Sequence, residues 1–402
     1  MHDYLTNDLP GTGGIIKEDP EDFLVEEIPL YVPAGSGEHT FATIEKRGLT
    51  TLEAIRRITC ALGISDRDIG YAGMKDARGV TRQSISLTRV DPARVLSLDL
   101  PGVRVLSADL HRNKLKVGHL AGNRFRIRIR GAADDALERA EAILSVLRER
   151  GVPNFFGSQR YGAQGNSHRI GRAILAGDYR GAVDALMGDP AAIRDERWQA
   201  AINAYHRGEL AASLATFPGH CRTERDVLQR LIKVPGDWER AFRAVHPRLK
   251  TLYLSALQSS LFDGVVASRL STIDRVFTGD VAWKHENGAC FLVENEEEEG
   301  PRAVRFEISP TGPLFGNRMK MPAGNQLAIE EAVLGEAGLS RDCFERPGTL
   351  HLAGERRPLR VPVGVTVLIG DGNGLVLEFS LPRGAYATAV MREIMKPDSH
   401  DH

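Results

Sequence analysis

Apolar and polar residues alternate along several short stretches of this chain and recur at helical spacing along others, a pattern that predicts an α+β protein. From Phe23 the segment FLVEEIP sets Phe23, Val25 and Glu27 on one side and Leu24, Glu26 and Ile28 on the other, as an amphipathic strand with an acidic face does. His39 to Lys46 is a second strand. Thr50 and Glu53 stand at capping-box spacing ahead of Ala54, Ile55, Ile58 and Leu62, which predicts a helix stopped by Gly63. Ser84 to Leu87, VRVLSADL and KLKVGHL read as further short strands. In GNRFRIRIRG, Phe125, Ile127 and Ile129 alternate with Arg124, Arg126, Arg128 and Arg130, so an apolar face backs a row of guanidinium groups. Asp134 to Glu149 lines Ala136, Leu137, Ala140, Ile143, Leu144 and Leu147 along one helical face, and Gly151 ends it. Near the end, Leu375 to Leu381 alternates as a strand, turns at Pro382 to Gly384 and enters a helix carrying Arg392 and Glu393, read as paired or solvated there. The opening residues to Gly14 are polar and read as loosely held.

The middle of the chain has a different character. Helical stretches at Gly181 to Leu186, Ala200 to Leu214 and Glu224 to Ile232 lead into LYLSALQSSLFDGVVASRL, followed by short strands around Val281 and Phe291 and the acidic run NEEEEG, read as a solvated loop. At 402 residues, with 42% apolar and 26% charged residues, the chain exceeds what one core usually organises, so two domains are expected and disordered or fibrous classes are excluded. No secretory leader or run of about eighteen apolar residues is visible, which predicts a cytoplasmic protein with no membrane partner. Cys60, Cys221, Cys290 and Cys343 lack metal-site spacing and read as reduced, mostly buried residues. The net charge is −1, yet eight basic residues face one acid between Arg104 and Arg130. Nucleic-acid binding depends on where charge sits rather than on its sum.

Candidate chemistry concentrates at YAGMKDARGVTRQSISL, Tyr71 to Leu87. Asp76 lies between Lys75 and a turn at Gly79, on a loop whose glycines, Gly73 and Gly79, permit tight folding. On these residues alone Asp76 is a reactive carboxylate or a turn residue capping its own backbone. The arginine row suits a phosphate backbone, and equally a solvated sheet face. In VPNFFGSQRYG, Asn154 offers a donor and an acceptor that fit a uracil edge, or it is a turn residue after Pro153.

The string GMKDARGVTRQ resembles the GxKDxxxxTxQ nucleophile motif of the TruD family of tRNA pseudouridine synthases, with Asp76 at the catalytic aspartate. PEDFLVEE resembles the family's first motif, PNFFGSQRYG its PNxFGxQRFG motif with Tyr161 for the usual Phe, and LPRGAYATAVMRE its closing motif with Tyr386 at a position usually Phe. Two weaker matches, YLSALQSSLFD and SPTGPLFG, resemble a helix and a loop of the family's insertion domain. The resemblance spans the chain.

It implies a pseudouridine synthase fold, α+β, with a mixed, mainly antiparallel sheet and flanking helices. Into this catalytic domain, residues 1–171 and 355–402, a TRUD insertion domain, residues 172–354, is expected, the two facing across an RNA-binding cleft. The implied reaction isomerises uridine to pseudouridine in tRNA, at position 13, with the target base flipped out to Asp76. Phe23 and Tyr386 are expected to hold the base, Asn154 to orient it or the carboxylate, and Phe156 to wall the pocket. Gln159 and Arg160 are expected at backbone or phosphate, with a buttressing role for Arg160 as the alternative. Lys17, Lys75 or Arg160 would keep Asp76 ionised, and sequence does not choose among them. Arg124, Arg126, Arg128 and Arg130 are expected near the RNA backbone. No metal or organic cofactor is expected, and oligomeric state has no signature, a monomer being compatible with everything above. Three other readings stand beside this one: a same-family synthase for another RNA, a non-catalytic RNA-binding or folding helper, and a hydrolase pairing Asp76 with one of Glu18, Asp19, Glu21, Asp22, Glu26 or Glu27.

Overall fold

The computed structural model describes residues 4–345, 352–372 and 374–396. The remainder of the chain, including 346–351 of the expected insertion and 397–402 of the expected catalytic domain, lies outside the described residues. The chain divides into two compact units.

One unit comprises Tyr4–Val152 and the chain from Val361 onward. Its eight strands are β1 (Phe23–Pro29), β2 (His39–Arg47), β3 (Ile69–Tyr71), β4 (Val80–Thr88), β5 (Val103–His111), β6 (Leu120–Ile129), β7 (Gly364–Asp371) and β8 (Gly374–Pro382). They form one sheet in the order β7-β8-β6-β1-β4-β2-β5, with β3 also on β4. β1 and β4 run parallel, and the other pairings are antiparallel.

Opposed residues share a face, so the register sorts the side chains into two sets. Phe23, Val25 and Glu27 stand with Ile127, Phe125 and Asn123 and with Thr81, which in turn faces Lys46. Leu24 and Glu26 stand with Arg126, Arg124 and Arg82 on the reverse. The first face is the packed one. Helices α1 (Thr51–Leu62) and α2 (Pro92–Leu96) cover Ile44, Ile85 and Leu87. Helices α3 (Ala136–Arg150) and α4 (Ala387–Met395) cover Phe125, Ile127, Leu377 and Phe379. The α3 stripe read from the sequence does this packing: Ile143, Leu144 and Leu147 are fully buried, each contributing about 1.5–3 kcal/mol of apolar transfer. Between the two cores the same face carries polar side chains, Glu27, Lys46, Thr81, Gln83 and Asn123.

Three expectations for this unit need correction. The opening residues are tied down, because Thr12 N–H donates to Ile394 O at 2.8 Å and Gly13 N–H to Met395 O at 3.1 Å. Glu393 does not pair with Arg392: it is 1% exposed and accepts from Leu5 N–H at 3.0 Å and from Thr6 N–H and Oγ1 at 3.1 and 2.8 Å. KLKVGHL is a loop up to Leu120, since Leu115 N–H donates to Ser86 Oγ of β4 and Gly118 N–H to Ala72 O just past β3, so its backbone is spent on these rather than on a ladder of its own.

The other unit contains Pro153–Arg360. The first crossing therefore falls near residue 153 and the return near 360, where the sequence reading sets 171 and 355. The difference has a packing cause: Arg160 and Tyr161 bond to the helix Pro247–Ser268 through Ser255, Ser259 and Asp263. Helices Ser167–Ala176, Tyr179–Met187, Glu196–His206 and Arg222–Lys233 enclose an apolar core around Phe217 and Phe242. The expected single helix over 200–214 is two, Glu196–His206 and Leu210–Thr216, parted at Gly208 with its positive φ of 78°. A four-stranded sheet runs in the order Glu355–Pro358, Ile308–Leu314, Val281–Lys284, Cys290–Leu292. SPTGPLFG, expected as a loop, supplies the strand Ile308–Leu314; it is buried on both faces and so shows no alternation to read. The acidic run, also expected as a loop, opens the helix Glu296–Val304, capped by Asn295 Oδ1 on Glu297 N–H at 3.0 Å, with its carboxylates at the positive end of the dipole. Cys60 is exposed, Cys290 half-buried, Cys221 and Cys343 buried, and all four are free. Among the described residues no helix is long and apolar enough to cross a membrane.

Candidate active site

Asp76 sits on the segment joining β3 to β4, and a clamp of neutral polar groups fixes both sides of that segment. Lys75 N–H donates to Thr51 Oγ1 at 2.9 Å, Thr51 Oγ1–H donates to Gln83 Oε1 at 2.9 Å, and Gln83 Nε2 reaches Gly73 O at 3.4 Å. Gly79 closes the loop against β1: a Cβ there would stand 2.5 Å from Phe23 O and 3.1 Å from its ring. No larger residue fits without moving the strand.

The carboxylate is engaged on both oxygens. Oδ1 accepts from Arg78 N–H at 2.9 Å, the turn cap foreseen as the simple alternative, and Oδ2 accepts from Lys17 Nζ in an ion pair. Lys46 Nζ donates to the Asp76 backbone carbonyl at 2.7 Å and to Leu49 O at 2.6 Å. Partial burial of Asp76 pushes its carboxyl upward; the Lys17 hydrogen bond, the Arg78 N–H and the charges of Lys17 and Lys46 outweigh it, so the net shift is below the usual range. Asp76 is thus an anion at neutral pH while keeping 19% of its side chain open. Burial pulls the Lys46 ammonium down to about 8, against the attraction of Asp76 and with the repulsion of Lys75.

Of the three cations the sequence offers, Lys17 makes the contact. Lys75 turns to Glu27, its ammonium 2.9 Å from Oε2 in a nearly buried ion pair that is not aligned as a hydrogen bond. Glu27 Oε1 accepts from Ser84 N–H at 3.2 Å. Arg160 belongs to the other compact unit, where Nε donates to Ser259 Oγ at 2.9 Å and Nη2 to Ser255 Oγ at 2.5 Å, the buttressing arrangement. Phe23 is 5% exposed and lies under Lys17, whose Nζ stands 4.0 Å from the ring centroid; Phe125 flanks it at 6.5 Å. Tyr386 is half-buried at the residue preceding α4.

Asn154, Phe156 and Gln159 also lie in the second unit. Asn154 spends its amide internally: Nδ2 donates to Pro358 O at 2.9 Å and Oδ1 accepts from Arg357 at 2.6 Å. Phe156 carries the Arg357 guanidinium 4.3 Å over its ring and packs edge-on against Phe262. Gln159 is exposed.

The arginine row occupies the sheet face opposite Glu27, Lys46 and the Asp76 segment, and its guanidinium groups meet carboxylates of the same unit. Arg124 pairs with Glu26 at 3.5 Å, Arg126 with Glu378 at 2.7 Å, and Arg128 with Asp22 at 3.9 Å. Arg130 grips Asp22 through Nε at 2.7 Å and Nη2 at 2.8 Å, and reaches Asp19 at 3.1 Å. Because Ile15 and Arg130 also exchange both backbone hydrogen bonds, Arg130 anchors the very turn that carries Lys17.

Sequence reading passed over Lys46 and Asn123. Lys46 had a signal, since it shares the inward parity of Ala42 and Ile44 on β2, where a lysine needs a partner. Asn123 stands opposite Glu27 with a buried Oδ1 that has no hydrogen-bond partner, and Thr81 Oγ1 on the same face is likewise unpaired. Unsatisfied buried groups of this kind cost about 1–3 kcal/mol each and gather where a ligand or water completes them. Among the described residues no group of three or more His, Cys, Asp or Glu side chains is arranged to hold a metal ion.

A crystal structure of a Methanosarcina mazei protein described as tRNA pseudouridine synthase D superposes with a TM-score of 0.82 at 29% identity, covering 98% of this chain and 95% of that one. The mixed sheet with its flanking helices is thus the fold of a pseudouridine synthase. Relatives named tRNA pseudouridine synthase D from Geobacter sulfurreducens and Thermus thermophilus are 66% and 39% identical over 98% and 99% of this chain, and over 96% and 93% of their own. The family model for tRNA pseudouridine synthase D matches residues 1–394, and the chain belongs to that family, TruD, whose members are isomerases converting uridine to pseudouridine in tRNA.

Proposed function

We propose that this protein isomerises uridine to pseudouridine at position 13 of tRNA, with Asp76 as the essential carboxylate. The observation that carries this reading is the state of Asp76: ionised by Lys17 and Arg78 N–H, partly open, and alone in its loop as an acid. The reaction breaks the N1–C1′ bond, turns the uracil within the pocket and rejoins it through C5. Attack on C1′ and proton abstraction from the ribose both call for a carboxylate anion at neutral pH, which is what the two lysines provide. Glu27, the buried acid beside Lys75, is paired with that lysine and held by Ser84 N–H, which disfavours a two-carboxylate hydrolase. Phe23 supports the Lys17 ammonium from below, and Tyr386 is the aromatic candidate for the base. Asn123, with its unpaired carbonyl oxygen, is a better candidate than Asn154 for meeting the uracil imide. Residues 172–354, with the flanking turns, act as the TRUD insertion, and tRNA is the partner.

The test is Asp76→Asn. Pseudouridine formation in tRNA transcripts is expected to fall by at least about 10³-fold, as removal of a principal catalytic group does, while tRNA binding persists. Turnover retained in that variant would remove Asp76 from the chemistry. Mapping pseudouridines in total RNA from cells with and without the protein tests the position, and a site other than 13 would redirect the substrate assignment.

A further inference from the structure

A fully buried cation ordinarily sits against a carboxylate, because taking an ammonium out of water is costly unless an anion meets it. Lys46, on the inward face of β2 and 0% exposed, departs from that rule. Its cross-strand neighbours are Thr81 on β4 and Val103 on β5, and neither is charged. The acids of the site are engaged with other groups: Asp76 Oδ1 with Arg78 N–H and Oδ2 with Lys17, Glu27 with Lys75 and with Ser84 N–H. The Lys46 ammonium donates instead to two main-chain carbonyls, Leu49 O at 2.6 Å and Asp76 O at 2.7 Å.

Those carbonyls lie on two segments that meet at the site. Leu49 is in the turn from β2 into α1, and this turn touches the Asp76 loop again where Gly48 N–H donates to Gly79 O at 3.3 Å. Thr51, the first residue of α1, accepts from Lys75 N–H at 2.9 Å. Asp76 is thus gripped before its Cα by a hydroxyl and after it by an ammonium. The hydroxyl shows that a neutral group is enough to hold this backbone, and a charge adds what a neutral donor lacks. Against the upward push of burial, Lys46 joins Lys17 and Arg78 N–H in holding the Asp76 carboxyl low. Burial draws the Lys46 ammonium itself down to about 8; Asp76 opposes this and Lys75 adds to it.

We infer that Lys46 is a positioning residue of the isomerisation, which fixes the Asp76 main chain against the β2–α1 turn and serves, through its charge, as a second counter-ion to the Asp76 carboxylate. Being closed off from solvent, it acts through Asp76 and does not meet the RNA. This rests on the synthase reading above, which gives Asp76 its task.

The test separates charge from hydrogen bond. Lys46→Met keeps much of the side chain's bulk and removes both; Lys46→Gln keeps an N–H donor and removes the charge. Each is expected to lower kcat on tRNA by about tenfold or more, as misplacement of a catalytic group does, with Gln the milder, and to leave tRNA affinity within about twofold. The acid limb of kcat/KM should move to higher pH in both, because loss of a nearby cation raises the Asp76 carboxyl. Carbon-13 NMR of protein labelled at the aspartate side-chain carboxyl reads Asp76 without RNA, its resonance being the one lost in Asp76→Asn, and this carboxyl should titrate at higher pH in either variant than in the wild type. Should neither variant fold, the wild-type protein carries the test: its Asp76 resonance is expected to show a second step at about pH 8, where Lys46 gives up its proton, and a flat alkaline limb would overturn the inference. In a folded variant, an unchanged kcat or an Asp76 carboxyl that titrates as in the wild type would overturn it, leaving Lys46 a structural tie. Absence of pseudouridine with the wild-type protein on every RNA would instead count against the synthase reading, and the carboxyl titration would still decide whether Lys46 acts on Asp76.

Discussion

Lys17 takes a left-handed backbone, φ 65°, that residues bearing a Cβ rarely adopt, and it is the residue that delivers a cation to Asp76. Such a conformation costs on the order of 1–3 kcal/mol and persists only where neighbours over-determine it. Here the Ile15–Arg130 backbone pair on one side and the Arg130–Asp22 ion pair on the other supply the constraint. The Lys17 hydrogen bond holds the Asp76 carboxyl below its usual range, so removing the ammonium moves that pKa up and shrinks the anionic fraction at any given acidic pH. For Lys17→Met the acid limb of kcat/KM is therefore expected to move to higher pH. A pH–rate profile on tRNA reads this directly, and an unmoved limb would mean that Lys46 and the Arg78 N–H suffice. Asp76 itself was legible in the sequence through its motif and its glycines. Its cation was not, because Lys17, Lys75 and Arg160 are chemically alike along the chain, and only the fold spends the other two on Glu27 and on two serines.

At the level of elements, legibility followed exposure. Strands with one packed face, such as β1 and β6, declared themselves by alternation, and α1 and α3 by their period and caps. The strand Ile308–Leu314 did not, being buried on both sides, nor did the loop before β6, whose alternating letters KLKVGHL are used for side-on bonds to Ser86 of β4 and to Ala72 just past β3. The N-terminal strap was also hidden. Its order comes from a partner nearly four hundred residues away, the buried Glu393 of α4, which no local pattern announces. Glu393→Ala would leave the N–H groups of Leu5 and Thr6 and the Thr6 hydroxyl without their acceptor, so a loss of about 2–4 kcal/mol is expected. Thermal unfolding together with hydrogen exchange at residues 4–14 measures it; unaltered protection there would show that the packing of Leu5 and Leu9, the Thr12 and Gly13 backbone bonds and the Lys396 ammonium suffice to hold the strap.

On the scale of the whole molecule, the distribution of charge decides how RNA is met, and the most conspicuous basic feature of the sequence is not the strongest candidate. The arginine row lies on the sheet face away from Asp76 and is neutralised by Glu26, Glu378 and Asp22. Arg126→Ala with Arg128→Ala is therefore expected to change tRNA affinity by less than about threefold and to leave its salt dependence intact. Titrations across salt concentrations measure this, and a clear loss of affinity with a flatter salt slope would return the RNA backbone to the arginine row.

The order of the strands in the sheet has a consequence for the chain's synthesis. β6 ends at Ile129, and the strand that pairs its far edge, β8, begins at Gly374, roughly 245 residues later. At 5–20 residues per second a ribosome takes about 10–50 s to cover that interval, during which β6 has an open edge and Phe125 and Ile127 lack the cover of α4 and of Leu377 and Phe379. The arginines and glutamates on the reverse of β6 and β1 then serve the nascent chain, as charged side chains on an unpaired strand deter pairing with a neighbour.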